Sequence, residues 1–164
     1  MLYQSVDNIT RNIDKIPEHL RGDVFELITQ VSRYMLKPLK LGNGKTVYVS
    51  ACKYDQILRY IEFFNNIADI SKVYLVGSAL TDECRDKSDL DFLVVIKDSV
   101  DKDIFIRDTA FEEIGYDDYI VISESEWNAY CAFPQRASTF YRNVLQKGEL
   151  IHDSSVRLSG TGVP

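Results

Sequence analysis

Two short patterns within residues 73–96 carry the residue types best suited to chemistry. The first is the Gly77-Ser78 pair at the end of an apolar run, and the second is Asp89 and Asp91, one residue apart at the start of the next apolar run. Like charges this close repel, and each carboxylate is costly to desolvate unless a positive group lies between them. The spacing therefore predicts a bound cation.

Each pattern has its own expected ligand. Alternation along a strand directs Asp89 and Asp91 to one face, about 6–7 Å apart, which suits one or two Mg²⁺ ions, because Mg²⁺ prefers carboxylate and phosphate oxygens. Gly77 allows the backbone to approach an anion, and a helix starting near Ser78 would present free amides and a hydroxyl. The two patterns together predict a nucleotide site in which the ions polarise an α-phosphate.

The elements that must position these residues follow from the apolar periodicity. Dense β-branched and aromatic runs predict three strands, and a short polar–apolar run predicts a fourth strand at a sheet edge: 72–77, 90–96, 118–123 and 149–153. Three- and four-residue steps, caps and breakers predict helices over 2–16, 18–36 and 50–66, one starting at Ser123 or Ser125, and one over 134–147 closed by Gly148. Residues 101–114 fit either a short helix or a strand followed by a helix, and the run to Ser50 fits a small strand or an extended connector.

This order of elements predicts an α/β (α+β) fold in which a mixed β-sheet is flanked by helices. The expected division is an N-terminal helical extension at 1–50, an α/β domain at 51–153 and a flexible tail at 154–164. The chain has 164 residues, 45% of them hydrophobic and 27% charged, which is typical of a globular protein. The apolar face of 18–36 is interpreted as an interdomain or dimer contact.

Bulk composition excludes several classes of function. The net charge of −6 and pI of about 4.9 disfavour binding to a nucleic-acid backbone. Three cysteines without CxxC spacing or a signal peptide favour a reducing cytoplasm and disfavour a zinc site. No apolar run approaches the ~18 residues of a membrane span.

The two patterns together resemble the signature of the polymerase-β-like nucleotidyltransferase superfamily. Val76-Gly77-Ser78, ten further residues, and Asp89-Leu90-Asp91-Phe92 follow its order, and SDLDFLVVI is similar to the minimal nucleotidyltransferases of bacteria and archaea. The resemblance covers roughly 52–153, so that 51–153 is interpreted as the nucleotidyltransferase domain. It departs from many small relatives after the Gly-Ser pair, where ALTDEC stands in place of an Arg and a Gly.

The resemblance implies a third carboxylate from the next strand, as metal ligand and general base. Asp118 is the first candidate and Asp117 the alternative, because a slip of one residue in strand register would exchange them. Asp82 and Glu83 add negative charge near the predicted triphosphate site, for which Arg85 and Lys87 could compensate. Arg136, Arg142 or Lys147 could reach the phosphates from the last helix, and none of these basic residues is assignable from spacing.

The implied reaction transfers a nucleoside monophosphate, AMP from ATP, to a hydroxyl of a small molecule or a protein with release of pyrophosphate. Asp89, Asp91 and Asp118 would bind two Mg²⁺ ions. Small relatives often pair with a HEPN-type ribonuclease toxin and neutralise it by adenylylation, so an antitoxin role and a protein partner are implied as well. The alternative is a protein of the same fold that neutralises a partner by contact alone.

Structural interpretations of the same residues remain open. The paired aspartates could cap a strand and face water, Ser78 could be only a helix N-cap, and Asp118 could be a solvent-facing strand residue. Tyr130, Phe133 or Tyr141 could bracket an adenine, although aromatic residues there fit the core better. Cys84 has no neighbouring base that would make it a nucleophile.

Overall fold

The computed structural model describes residues 2–32, 35–109 and 117–156. In these ranges the chain forms helices α1 (Leu2–Arg11), α2 (Glu18–Ser32), α3 (Tyr54–Asn65), α4 (Lys102–Asp108), α5 (Glu124–Ala132) and α6 (Thr139–Lys147). The strands are β1 (Leu36–Lys40), β2 (Thr46–Ser50), β3 (Ile70–Val76), β4 (Asp91–Ile96), β5 (Asp118–Ser123) and β6 (Glu149–Asp153).

Strands β3 to β6 form one mixed sheet in the order β5-β4-β3-β6. Strand β3 runs antiparallel to β4 and β6, whereas β4 and β5 are parallel. The α/β class with a mixed sheet is thus confirmed, as is the edge position of 149–153.

A helical crossover joins the two parallel strands, as parallel pairing requires. The Asp101 carboxylate accepts hydrogen bonds from the amides of Asp103 and Ile104 and so caps α4, whose Phe105 is buried. Of the two structures that 101–114 allowed, 102–108 is helical, and residues 110–114 lie outside the described ranges.

Alternation along β4 divides the core between the two faces of the sheet. Phe92, Val94 and Ile96 pack with buried residues of α3, including Ile57, Tyr60 and Phe64. Leu93 and Val95 pack on the opposite face with Ile122 of β5, Trp127 of α5 and Val144 of α6. Asp91, at the start of β4, has the same parity as Leu93 and therefore projects on the α5–α6 side.

Residues 36–50 form a β-hairpin, so the predicted helix over 18–36 runs too far and the segment 1–50 is not wholly helical. Pro38 lies within β1. Proline lacks an amide donor, but it is tolerated on edge strands, and in the described residues β1 is an edge strand that pairs with β2 in a two-stranded sheet. Leu39 and Val49 are buried in the same core cluster as α3. We therefore propose that the compact domain starts near residue 35.

The helical extension itself contributes little to the core. None of the residues of α2 is buried, and Phe25 and Leu27 are exposed. Arg21 closes the turn between α1 and α2 by donating to the carbonyls of Asp14 and Ile16. The predicted helix over 2–16 is interrupted, because α1 ends at Arg11 and a separate 3₁₀ turn follows.

Other boundaries differ by a turn or less. A 3₁₀ turn, Ala51–Lys53, precedes α3, and Pro134–Arg136 forms a 3₁₀ turn ahead of α6. Ser123 caps α5 by accepting from the Glu126 amide, as one of the two predicted starts requires. No helix in the described ranges is both long and apolar enough to cross a membrane. Of the predicted tail, residues 157–164 lie outside the description.

Candidate active site

Asp89 and Asp91 flank the start of β4. The strand begins at Asp91 and not at Leu90, so Asp89 lies in the preceding loop, where it is exposed. The ladder still reaches back one residue, because the Leu90 carbonyl accepts from the Asp118 amide at 3.0 Å. Leu90 is fully buried in the α3-side core, so the expected separation of Leu90 from the aspartates is retained.

Asp118 opens β5 directly beside Asp91. The two residues are Cα partners in the parallel ladder, so they lie on one face of adjacent strands, about 5 Å apart at the backbone. Burial is the main cause that raises the pKa of Asp91, and the charges of Asp118, Asp89 and Asp117 raise it further in that order. This end of the sheet is therefore strongly anionic.

Asp117, the alternative third carboxylate, is engaged elsewhere. Its Oδ2 accepts from Gln56 Nε2 at 2.7 Å and from the Tyr60 hydroxyl at 2.8 Å, and its Oδ1 accepts from the Leu90 amide at 2.6 Å. Burial and the Asp117 charge raise the pKa of Tyr60, so its hydroxyl stays a donor. Asp117 thus fixes the backbone of Leu90, which lies between the predicted metal ligands Asp89 and Asp91.

Gly77 brings the first pattern into contact with the second. It has φ +78°, a left-handed conformation that favours glycine, and a Cβ at this position would overlap Oδ2 of Asp91. The helix predicted to start near Ser78 is a single 3₁₀ turn, Gly77–Leu80, closed by the Thr81 amide donating to the Ser78 carbonyl at 2.9 Å. Ser78 is half-buried beside this contact.

The fit of a metal ion depends on the donor set. Asp89, Asp91 and Asp118 supply hard carboxylate oxygens at neighbouring positions, as Mg²⁺ requires. In the described part of the chain, however, no three His, Cys, Asp or Glu side chains are arranged to hold a metal ion. The residues fit such a site by type and by backbone position, without a preformed cage, and their metal role stays a prediction.

Three residues near the start of α3 support the site and were missed by sequence reasoning. Lys53 is 7% exposed, and its Nζ donates to the Asp86 carbonyl at 3.0 Å and to Gln56 Oε1 at 3.3 Å. Gln56 and Tyr60 in turn donate to Asp117. Polar residues at a helix start usually face water or cap the helix, so only the tertiary contacts reveal this role.

Two of the candidate basic residues are engaged in other contacts, and two more are exposed at positions that do not single them out for phosphate binding. The Arg85 guanidinium donates to the carbonyls of Asp82 and Cys84, each at 2.9 Å, and so braces its own loop. Arg136 lies 4.8 Å from the centroid of the Phe133 ring. Lys87 and Arg142 are exposed.

Lys147 differs from these residues in its position. It ends α6, and a Cβ on the following Gly148 would lie 3.1 Å from Val76 Cγ1. Val76 directly precedes Gly77, so the end of α6 adjoins the Gly-Ser turn on the same side of the sheet as Asp91.

The predicted aromatic bracket for adenine is not formed. The Tyr130 and Tyr141 rings stack on each other with centroids 4.8 Å apart, which leaves no space for a base between them. Both pack against the cluster that contains Trp127. Phe133, the third candidate, carries Arg136 on its ring.

Comparison with known proteins agrees with this geometry. The profile of the family described as "Nucleotidyltransferase domain" matches residues 55–131, which include Gly77, Ser78, the paired aspartates and Asp118. This matched segment, which is less than half of the chain, is similar to a nucleotidyltransferase domain, and it supports the resemblance to the polymerase-β-like superfamily and a general function in nucleotidyl transfer. No curated protein matches the chain.

One similar solved structure comes from Sulfolobus solfataricus and is provisionally described as a nucleotidyltransferase. It is 20% identical, covers 65% of this chain and 92% of its own, and superposes with a TM-score of 0.39.

Proposed function

We propose that the protein transfers AMP from ATP to a hydroxyl group, in a Mg²⁺-dependent reaction that releases pyrophosphate. The observation that supports this best is the placement of Asp91 beside Asp118 and against Gly77. A cluster of carboxylates that raises the pKa of one member is unfavourable without a cation. Such a cost is typical of a site kept for binding.

Each residue has a distinct role in this proposal. Asp89, Asp91 and Asp118 would hold two Mg²⁺ ions, whose charge stabilises the phosphoryl oxygens in the transition state. The backbone at Gly77 and the Ser78 hydroxyl orient the triphosphate. Asp118 is exposed at the start of β5, where it can accept the proton of an incoming hydroxyl. Most of the rate enhancement comes from alignment.

Lys147 is our choice for the residue that contacts the triphosphate. It is exposed, and the residue that follows it, Gly148, adjoins Val76, which precedes Gly77. Arg85 is less suited, because its guanidinium already donates to two carbonyls.

The acceptor is a small molecule or a protein, and the acidic net charge of −6 argues against RNA. An antitoxin role, in which a HEPN-type toxin is adenylylated in the cytoplasm, is supported only by the resemblance to minimal nucleotidyltransferases. The exposed Phe25 and Leu27 of α2 suit either a protein partner or a second copy of this chain.

A binding protein without catalytic activity is the second candidate. The observation in its favour is that the described carboxylates do not form a ready-made metal cage. In this case partner neutralisation would depend on contact alone and would not need Asp91.

The decisive experiment measures nucleotide binding before turnover, since the acceptor is unknown. The thermal midpoint of the protein is followed with each NTP and Mg²⁺, and pyrophosphate release is then assayed with and without a HEPN-type toxin as acceptor. ATP at ~100 times its Kd should stabilise the native state by about 2.7 kcal/mol. Asp91→Asn should remove this shift, whereas Asp82→Asn, a matched change in the exposed loop, should retain it.

The two candidates predict opposite results. No shift and no pyrophosphate with any NTP in the wild type, together with an intact partner complex in Asp91→Asn, would establish the binding protein and exclude the enzyme.

A further inference from the structure

Two thiols from distant parts of the chain meet behind the candidate site. Cys52 lies on the 3₁₀ turn that precedes α3, and Cys84 lies on the loop 81–88 between the Gly-Ser turn and the paired aspartates. Although 32 positions separate them in sequence, their Sγ atoms are 3.8 Å apart. Both cysteines are reduced, and the third cysteine, Cys131, is exposed.

The surroundings of the pair hold it together. Lys53 ties the Cys52 turn to the Cys84 loop by donating to the Asp86 carbonyl at 3.0 Å. The Ser50 hydroxyl lies 3.2 Å from the Cys52 sulfur. Cys84 is fully buried and Cys52 is partly exposed, so an oxidant can reach the pair only through Cys52.

Bond formation needs only a small movement. A disulfide has an S–S distance of about 2.05 Å, so the two sulfur atoms must approach by about 1.8 Å. Most residues of the loop 81–88 are exposed, and such loops adjust at low cost. Simple packing would bring the sulfur atoms into contact too, but it makes no use of a partly exposed thiol held against a buried one.

We propose that Cys52 and Cys84 are a reversible oxidation site that closes into an intramolecular disulfide in the presence of a peroxide. The Cys52 sulfur attacks a peroxide oxygen, which gives a sulfenic acid and releases an alcohol or water. The Cys84 sulfur then attacks the sulfenic sulfur, forms the S–S bond and releases water. The thiols lose two electrons and two hydrogens, the peroxide is reduced, and a dithiol reverses the reaction.

The disulfide would fasten the loop 81–88 to the turn before α3. Because this loop connects Ser78 to Asp89, closure would restrict the two halves of the candidate site relative to each other. This effect on nucleotide binding rests on the proposed function, whereas disulfide formation does not.

The test uses the full-length Cys131→Ser variant, which retains the pair and removes the third thiol. The protein is treated with hydrogen peroxide and then alkylated in denaturant, and the thiols are counted by intact mass. Burial is the main cause that raises the pKa of the Cys52 thiol, so oxidation is carried out at about pH 8.5 to increase the thiolate fraction. Cys84→Ser/Cys131→Ser and Cys52→Ser/Cys131→Ser are the controls.

In Cys131→Ser, both cysteines should escape alkylation, and the intact mass should fall by two hydrogens. Digestion should then give one pair of peptides joined by a disulfide between residues 52 and 84. Dithiothreitol should restore both alkylation sites. The double variants should keep a monomeric mass and form no internal link. If both cysteines remain alkylatable, proceed to sulfinic acids without linking, or link only between chains, the proposal is overturned. None of these readouts involves a nucleotide, so a failed nucleotide assay leaves the result independent.

Discussion

Asp117→Asn should destabilise the protein far more than the same change at Asp118. Asp117 accepts three hydrogen bonds, from Gln56 Nε2, the Tyr60 hydroxyl and the Leu90 amide. Asparagine keeps one acceptor oxygen, which can serve the Leu90 amide, but its NH₂ group then faces Gln56 Nε2, which cannot accept, and the Tyr60 hydroxyl, which can accept only a weaker, neutral hydrogen bond. Gln56 cannot simply invert its amide, because its Oε1 already accepts from Lys53 at 3.3 Å.

The magnitude follows from the number of bonds lost. Two hydrogen bonds to a charged acceptor contribute about 3 kcal/mol or more together. Removing the charge also relieves repulsion of Asp91, but Asp117 is the weakest of the three carboxylates that act on it. The expected net loss is about 2–3 kcal/mol of unfolding free energy, or about 5–10 °C in the thermal midpoint.

Urea unfolding followed by the fluorescence of Trp127, the single tryptophan and 2% exposed, measures this loss. Asp118→Asn is the matched control, because Asp118 is exposed at the start of β5. The unfolding free energy of this variant should differ from that of the wild type by at most about 0.5 kcal/mol, while nucleotidyl transfer is lost. Equal unfolding midpoints for Asp117→Asn and the wild type would refute the positioning role of Asp117, and equal destabilisation by both variants would refute the division of roles.

Three further predictions concern single residues. Gly77→Ala should lose about 1–2 kcal/mol of unfolding free energy, because alanine disfavours the left-handed backbone at this position. It should also lose the ATP-dependent thermal shift, because the new Cβ displaces the Asp91 carboxylate, and a retained shift would contradict this contact. Gly44→Ala is the control: at φ +82° with open space around it, it should show the backbone cost alone. Lys147→Gln should raise the KM for ATP about three- to tenfold, as expected for one exposed charge that contacts a phosphate, whereas Arg142→Gln should leave the KM unchanged. A larger effect of Arg142→Gln would contradict the assignment of Lys147. Burial lowers the pKa of His152 below its usual value of 6.5, so the unfolded state takes up the proton first, and the unfolding free energy falls as the pH drops below 6.5. Urea titrations from pH 7.5 to 5 should show this extra loss of stability in the wild type and not in His152→Gln. Identical pH profiles of the two proteins would exclude the contribution of His152.

The strands and the residue types at their ends were predictable because local patterns encode both. Runs of β-branched and aromatic residues identified three of the four strands of the main sheet, and a short polar–apolar run identified the edge strand at 149–153. The spacing of Gly77-Ser78 from the aspartates indicated the resemblance to a nucleotidyltransferase domain. The Ser123 cap was readable for the same reason, since a cap depends on neighbours three residues away. The hairpin over 36–50 could not be predicted, because Leu36–Lys40 lacks a strand-like alternation and contains a proline, which argues against a strand.

The placement of Asp118, and not Asp117, beside Asp91 required the parallel register of β4 and β5. A register shift of one residue exchanges the faces of a strand, and the sequence alone contains nothing that prevents it. The structure pairs Asp91 with Asp118 and gives Asp117 its three donors, two of them from α3, which the chain passes some sixty residues earlier.

The amino-acid sequence by itself determined the elements of the sheet and the residue types at the candidate site, since both depend on neighbours a few positions apart. Tertiary structure alone decided that Gly77 touches Asp91, that Lys53, Gln56 and Tyr60 support the site, and that Cys52 meets Cys84. The physical reason is that these contacts join distant segments, and their partners are set by how the helices and loops pack on the sheet.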